Sequence, residues 1–236
     1  MRIDQQPAYV LHARPYRETS LLLECLTREH GRVGVVARGV RSEKGRAQRA
    51  LLEPFQRLAM DMLMRGELAT LRGAEPLDAP RRLLGDHGLA GLYVNELVVR
   101  LTGRQDPHPD MFDSYALTLA RLSGTEPLAW TLRRFERDFL QALGYALVLD
   151  HDAATGAAID PDTHYRYHAE SGPMPCMAGD TGALRGEVLL ALAHDRLPGP
   201  ADLQSLRGMM REVIRFHLGG SELRAWQVLA AAMSRR

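Results

Sequence analysis

The hydrophobic period of this chain changes once, near residue 81, and that change constrains the fold more than any other feature. Before it, short runs rich in Val, Leu and Tyr alternate with turn residues: Tyr9–His12, Ser20–Leu26 and Arg32–Ala37, then Phe55–Met64 and Leu68–Ala74. They are separated by Arg14-Pro15, His30-Gly31, Arg38-Gly39 and Arg65-Gly66-Glu67, all turn signals. Five such strands in about 70 residues, with no helical period between them, point to a small closed β-barrel. The five-stranded oligonucleotide-binding (OB) type is the commonest of that size, and an SH3-like barrel has the same periodicity.

After residue 81 the apolar spacing is helical over Leu83–Leu101, Met111–Leu122 and Leu128–Leu143. Asp110 is the expected N-cap of the second helix, and Gly144 the stop of the third. On the third, Leu128, Leu132, Phe135, Phe139, Leu140 and Leu143 share a face, with Arg133, Arg134 and Glu136 at or off its edge. Residues 145–182 lose the period and read as an irregular insert with two or three small strands. Helical spacing returns over Gly182–His194, Asp202–Leu218 and Ser221–Met233, with Ser221 as expected N-cap. The fold class is therefore α+β: a barrel over 1–80, then a helical domain over 81–236 carrying the β-rich insert 145–182.

Net charge is +1 over 236 residues, but it is unevenly spread. Residues 1–82 hold 15 Lys and Arg against 10 Asp and Glu, whereas the rest hold 15 against 19. A basic first third fits a polyanion-binding module. Its densest part is Arg38–Ala50, where Arg38, Arg41, Lys44, Arg46 and Arg49 face one acid, Glu43. Gly39 and Gly45 suggest a mobile loop that tracks a phosphate backbone. Residues 1–80 offer only Tyr9, Tyr16 and Phe55 for stacking, so the binding expected is electrostatic and sequence-tolerant.

Other chemistry finds little support. There is no phosphate-binding Gly-x4-Gly-Lys loop, no His-Glu-x2-His and no Gly-x-Ser-x-Gly. His151, Asp152, Asp160, Asp162, His164, His168 and Cys176 include metal-ligating types. However, His164 and His168 on one strand stand about 13 Å apart, and no second close pair exists. No metal and no cofactor are expected. Two cysteines, Cys25 and Cys176, exclude a disulfide framework. No apolar run approaches the roughly 20 residues of a membrane span, and MRIDQQPAYV lacks a signal-peptide core. A cytoplasmic, nucleoid-associated protein with no membrane partner is expected.

Several segments, in order, resemble the RecO family of bacterial recombination mediators. They are Ala8–Leu23, Thr27–Arg32, Ala37–Arg41, Leu52-Glu-Pro-Phe55, Arg65–Leu68 with Thr70-Leu71, and Leu92–Leu97. Leu132–Glu136, Leu143-Gly-Tyr145, Tyr165–Tyr167 and Leu218-Gly-Gly220 continue the series. The resemblance implies an OB barrel, a helical domain and a β insert, and a role in repair without enzymatic turnover. It implies binding of single- and double-stranded DNA, strand annealing, engagement of the acidic C-terminal tail of single-strand-binding protein, and RecA loading together with RecR. Where the family carries zinc, four insert cysteines hold it; Cys176 alone places this chain in the zinc-free branch. On that basis Arg14, Arg38, Arg41, Lys44, Arg46 and Arg49 are the expected DNA contacts. Arg133 and Arg134 are expected at the rim of a groove for the tail. The competing readings are a metal-dependent nuclease built on the His151–His168 cluster and an adaptor that binds only protein.

Overall fold

The computed structural model describes residues 1–233. By contact density the chain divides into two compact units: Met1–Gly124 together with the stretch from Leu223, and Thr125–Glu222. Helices over 85–122, which follow the change of period, thus pack with the barrel. The last three residues of the 81–236 assignment lie outside the described residues.

In the first unit, β1 (Arg2–Tyr16), β2 (Ser20–Thr27), β3 (Gly31–Ala37), β4 (Arg57–Arg65) and β5 (Leu68–Pro76) close into a barrel in the order β1-β2-β3-β5-β4. All neighbours are antiparallel except β3 and β5, which run parallel. A 3₁₀ turn (Glu43–Gly45) and α1 (Arg46–Leu51) fill the β3–β4 connection. This connectivity selects the OB type. Inside, Val10, Leu23, Cys25, Val33, Val35, Leu58, Met60 and Met62 form an apolar core. Burial pushes the Cys25 thiol well above its ordinary range, so it is an inert core residue.

So small a barrel closes only by bending its strands, and register breaks mark the bends. In β1, Val10 pairs with Cys25 and His12 with Glu24, leaving Leu11 as the extra residue. A bulge frees backbone groups that need partners elsewhere. Here α2 (Gly85–Leu101) supplies one: the buried Asn95 amide donates to the Leu11 carbonyl at 2.9 Å. From α3 (Pro109–Leu122) the Tyr115 hydroxyl donates to Asn95 Oδ1 at 2.7 Å. Around this pair, Tyr9 packs edge-on against Tyr115 and tilted against Phe112, at 5.0 and 5.4 Å between ring centroids. Tyr9, Leu11, Leu22 and Leu26 are therefore buried on the barrel's outer side as well. A fully alternating pattern was lost there because both faces of β1 and β2 are covered.

Two expected caps are replaced. His108 precedes α3, with Pro109 at its first position; Asp110 lies inside the first turn and makes no cap bond. The final helix, α7 (Arg224–Met233), starts three residues after Ser221. Its first N–H groups, on Arg224 and Ala225, donate to the two oxygens of Glu96 on α2, each at 2.8 Å. A side chain 128 residues away outcompetes the local serine because an ionised carboxylate caps two donors at once.

The second unit holds α4 (Leu128–Ala142), a three-stranded sheet, α5 (Gly186–Ala193) and α6 (Pro200–His217). Its strands β6 (His164–His168), β7 (Gly172–Pro175) and β8 (Ala183–Arg185) run in the order β7-β6-β8. Gly182–Arg185, expected as helix, is thus turn and strand, paired to His164–Arg166. Gly144, at φ +84°, ends α4 as expected. The α4 surface differs from the expected one-sided face. Trp130, Thr131, Arg133 and Glu136 are buried as well as Phe135, Phe139 and Leu140.

Replacing Asn95 by Leu should cost about 2–4 kcal/mol, since it orphans the Leu11 carbonyl and the Tyr115 hydroxyl together. Tyr115→Phe should cost about 1 kcal/mol. Urea unfolding of the two variants measures the difference.

Candidate nucleic-acid interface

The connection from β3 to β4 is anchored where it starts and where it ends. Val40 and Leu52 are buried in the barrel core, and Leu51 packs against it. Between them, the Arg41 N–H donates to the Thr19 carbonyl at 2.9 Å, and the Ser42 hydroxyl to the Gly39 carbonyl at 2.6 Å. Gly45 is required by close approach: a Cβ there would stand 2.2 Å from the Gly39 oxygen and 2.6 Å from Val40 Cα. The expected mobile loop is instead a 3₁₀ turn running into α1, because apolar anchors and a tight glycine contact hold it.

This fold brings the basic side chains together. Arg14, Arg38, Arg41, Lys44, Arg46 and Arg49 are all exposed. Arg46 and Arg49 lie three apart on α1 and so share a face. Arg41 Nη1 donates to the Arg17 carbonyl at 3.2 Å, tying this segment to the β1–β2 turn. Arg38 directly follows Ala37, which pairs with Leu21, and Leu21 pairs with Pro15. That places Arg38 about 10 Å, two strand spacings, from the end of β1. Arg17 thereby joins the strip, a residue that sequence reasoning missed. Its only sequence signal was its place beside Arg14-Pro15, expected as a turn but found inside β1, with the turn starting at Arg17 itself.

Charge pairing separates these residues from Arg28, Arg32 and Arg104 of the same unit. Among the described residues, none of the seven forms an ion pair with an acid, although Glu18 and Glu43 lie in the same segments. By contrast Arg32 and Arg104 both engage Glu24, and Arg28 pairs with Asp113 at 2.9 Å. The Arg28 pair holds the Asp113 carboxyl below its ordinary value. Unpaired arginines in the strip keep their donors available for phosphate oxygens. For stacking, only Tyr16 remains, half-buried, with the Arg17 guanidinium 5.3 Å from its ring centre. Tyr9 is in the core, and Phe55 packs against Gly91. The surface suits a polyanion held by charge, with little base-specific contact.

Arg133 and Arg134, assigned to a groove rim, sit differently. Arg133 is buried and its guanidinium contacts the fully buried Glu136, three residues on. Spacing could not reveal this, because a charge enters an apolar helix face when its counter-ion enters with it. Arg134 spans two acids, Glu126 at 2.9 Å and Asp195 at 2.8 Å. Asp195 also takes Arg137, at 2.7 Å. Burial pushes the Asp195 carboxyl up, but the hydrogen bonds and charges of Arg137 and Arg134 outweigh it and hold it below its ordinary value.

The insert histidines do not converge. His151 pairs with Asp150, while Asp152 accepts from the Ala154 and Thr155 N–H groups and the Thr155 hydroxyl as a turn. Among the described residues no three His, Cys, Asp or Glu side chains form a metal-ligating group. No helix there is long and apolar enough to cross a membrane.

The chain combines an OB-type barrel that carries an unpaired basic strip with a helical unit. Comparison with known proteins narrows this to a family. The family profiles "Recombination protein O N terminal" and "Recombination protein O C terminal" match residues 1–80 and 85–227. A protein of Stenotrophomonas maltophilia (strain R551-3) named DNA repair protein RecO is 48% identical, over the full length of both chains. One of the same name from Xanthomonas oryzae pv. oryzae (strain PXO99A) is 45% identical, also over both full lengths. Another, from Xanthomonas campestris pv. campestris (strain B100), is 45% identical over 97% of each. The chain belongs to the recombination protein O (RecO) family.

Replacing Arg41, Lys44 and Arg46 by Ala should weaken single-strand binding for every sequence alike. It should also flatten the log–log salt dependence by about 0.7 per lost phosphate contact. Titrations at several salt concentrations read both effects, and an unchanged slope would remove the strip from the interface.

Proposed function

We propose that this chain is a DNA-binding recombination mediator of repair. It holds single- and double-stranded DNA on Arg14, Arg17, Arg38, Arg41, Lys44, Arg46 and Arg49, and it anneals complementary strands. The observation that carries this reading is the strip of seven basic side chains without acidic partners, in a member of the RecO family. Two strands held on one cationic surface repel each other less and remain close, so pairing accelerates without any bond being made or broken in the protein. The protein works in the cytoplasm, at the nucleoid, without enzymatic turnover.

On the helical unit it engages the acidic tail of single-strand-binding protein, and with RecR it promotes RecA loading; family membership supports these partners. For the tail, Arg134 is the contact residue of the pair. Its fork already holds two carboxylates, one of them on the half-exposed Asp195, and a peptide carboxylate can take the place of Asp195. Arg133 serves the fold.

Annealing of complementary oligonucleotides coated with single-strand-binding protein tests the reading. The chain should accelerate it, and the Arg41/Lys44/Arg46 alanine variant should not. Arg134→Glu should weaken binding of a tail peptide while naked-DNA annealing stays intact. Arg133→Glu should lower the melting temperature, because it sets two carboxylates side by side in a buried site. A chain that leaves annealing unchanged, or an Arg134 variant with unchanged peptide affinity, would refute the corresponding assignment.

A further inference from the structure

The helical unit exposes aromatic surface where the barrel does not. Tyr145 follows the Gly144 stop of α4, and Phe216 and His217 end α6. The Tyr145 and His217 rings lie 4.4 Å apart between centroids at 34°, and Phe216 meets His217 edge-on at 5.3 Å. Tyr145 is 51% exposed and Phe216 47%. Burial lowers the His217 pKa from its ordinary value. The neighbouring Gly144, Gly219 and Gly220 have no atoms near the position a Cβ would occupy.

Three arginines lead up to this cluster along α6. Arg207, Arg211 and Arg215 follow at four-residue intervals on α6, about 6 Å apart along the helix. Arg211 pairs with Glu222 at 3.1 Å. Arg215 is exposed, and among the described residues its Nε reaches only the Gly220 carbonyl, at 3.5 Å. Half-exposed rings beside an exposed arginine match the way proteins hold unpaired bases: rings stack on bases and the guanidinium takes the adjoining phosphate. A peptide-binding groove would need an enclosed apolar floor for its anchor residues.

We propose that Tyr145 and Phe216 form a stacking site for unpaired bases of single-stranded nucleic acid, with Arg215 on the neighbouring phosphate. The proposal rests on the DNA-binding reading above and adds a contact selective for single strands. The barrel strip, by contrast, neutralises phosphates of any strand.

The test uses the full chain with oligo-dT and with a duplex hairpin. Tyr145→Ala with Phe216→Ala should weaken oligo-dT binding at least about fivefold. Hairpin affinity should be unchanged, because paired bases are closed to stacking. The salt slope should stay as in the parent, since no phosphate contact is lost, and Arg215→Ala should reduce it by about 0.7. Tyr145→Phe with Phe216→Tyr should bind like the parent, which separates stacking from a general loss of fold. Oligonucleotides carrying 5-iodouracil should photo-crosslink at Tyr145 or Phe216. Parental oligo-dT affinity in the double alanine variant, with crosslinks elsewhere and the barrel-strip variant still impaired, would overturn the stacking site and leave the mediator reading standing. Absence of DNA binding by the parent chain would overturn both.

Discussion

The barrel unit depends on one buried amide. Closing five strands around a core this narrow forces a bulge into β1, and the bulge leaves the Leu11 carbonyl outside the β1–β2 ladder. Left alone under two helices, that oxygen would cost about 1–3 kcal/mol. Asn95 removes the penalty by donating to it, and Tyr115 fixes the amide by donating to its oxygen. One hydrogen-bonded chain thus specifies where α2 and α3 sit on the outer face of the barrel. The Tyr9, Phe112 and Tyr115 rings then fill the space around it. Glu96, the next residue on α2, carries the same logic to α7 by capping its first turn.

Covering one side of the barrel leaves the basic strip on a separate part of its surface. The strip is ordered by apolar anchors and not by its charges. Val40 and Leu52 hold the ends of the β3–β4 connection, Gly45 allows its tight passage, and the charged side chains project from a backbone already in place. Such a surface pays little ordering entropy when it meets DNA. Arg32 and Arg104 are neutralised by Glu24 and Arg28 by Asp113, and these three serve the fold. For these three, the placement of an acid and not of the arginine decides the role.

The barrel was legible because strand period and turn residues are local properties: all five strands overlap the expected segments, and Gly144 ends α4 where it should. The errors share one cause. Asp110 and Ser221 were reasonable local caps, yet His108 holds the cap position of α3, ahead of Pro109, and the distant Glu96 caps α7. The 38–50 segment looked mobile because glycines and charges say nothing of the apolar anchors that hold it. Arg133 looked peripheral because its partner Glu136 is equally charged, and only packing shows that the two were buried together.

Sequence alone determined the α+β class, the five strands, the order of the helices and the charge asymmetry between the two parts of the chain. Each of these is carried by spacing along the chain or by composition. Tertiary structure decided which helices belong to the barrel, which arginines lack partners, and that Tyr145 meets His217 across more than 70 residues of chain. Those outcomes depend on which backbone group a bulge strands, where an acid comes to rest and which rings remain uncovered. Such facts exist only once the chain has closed on itself.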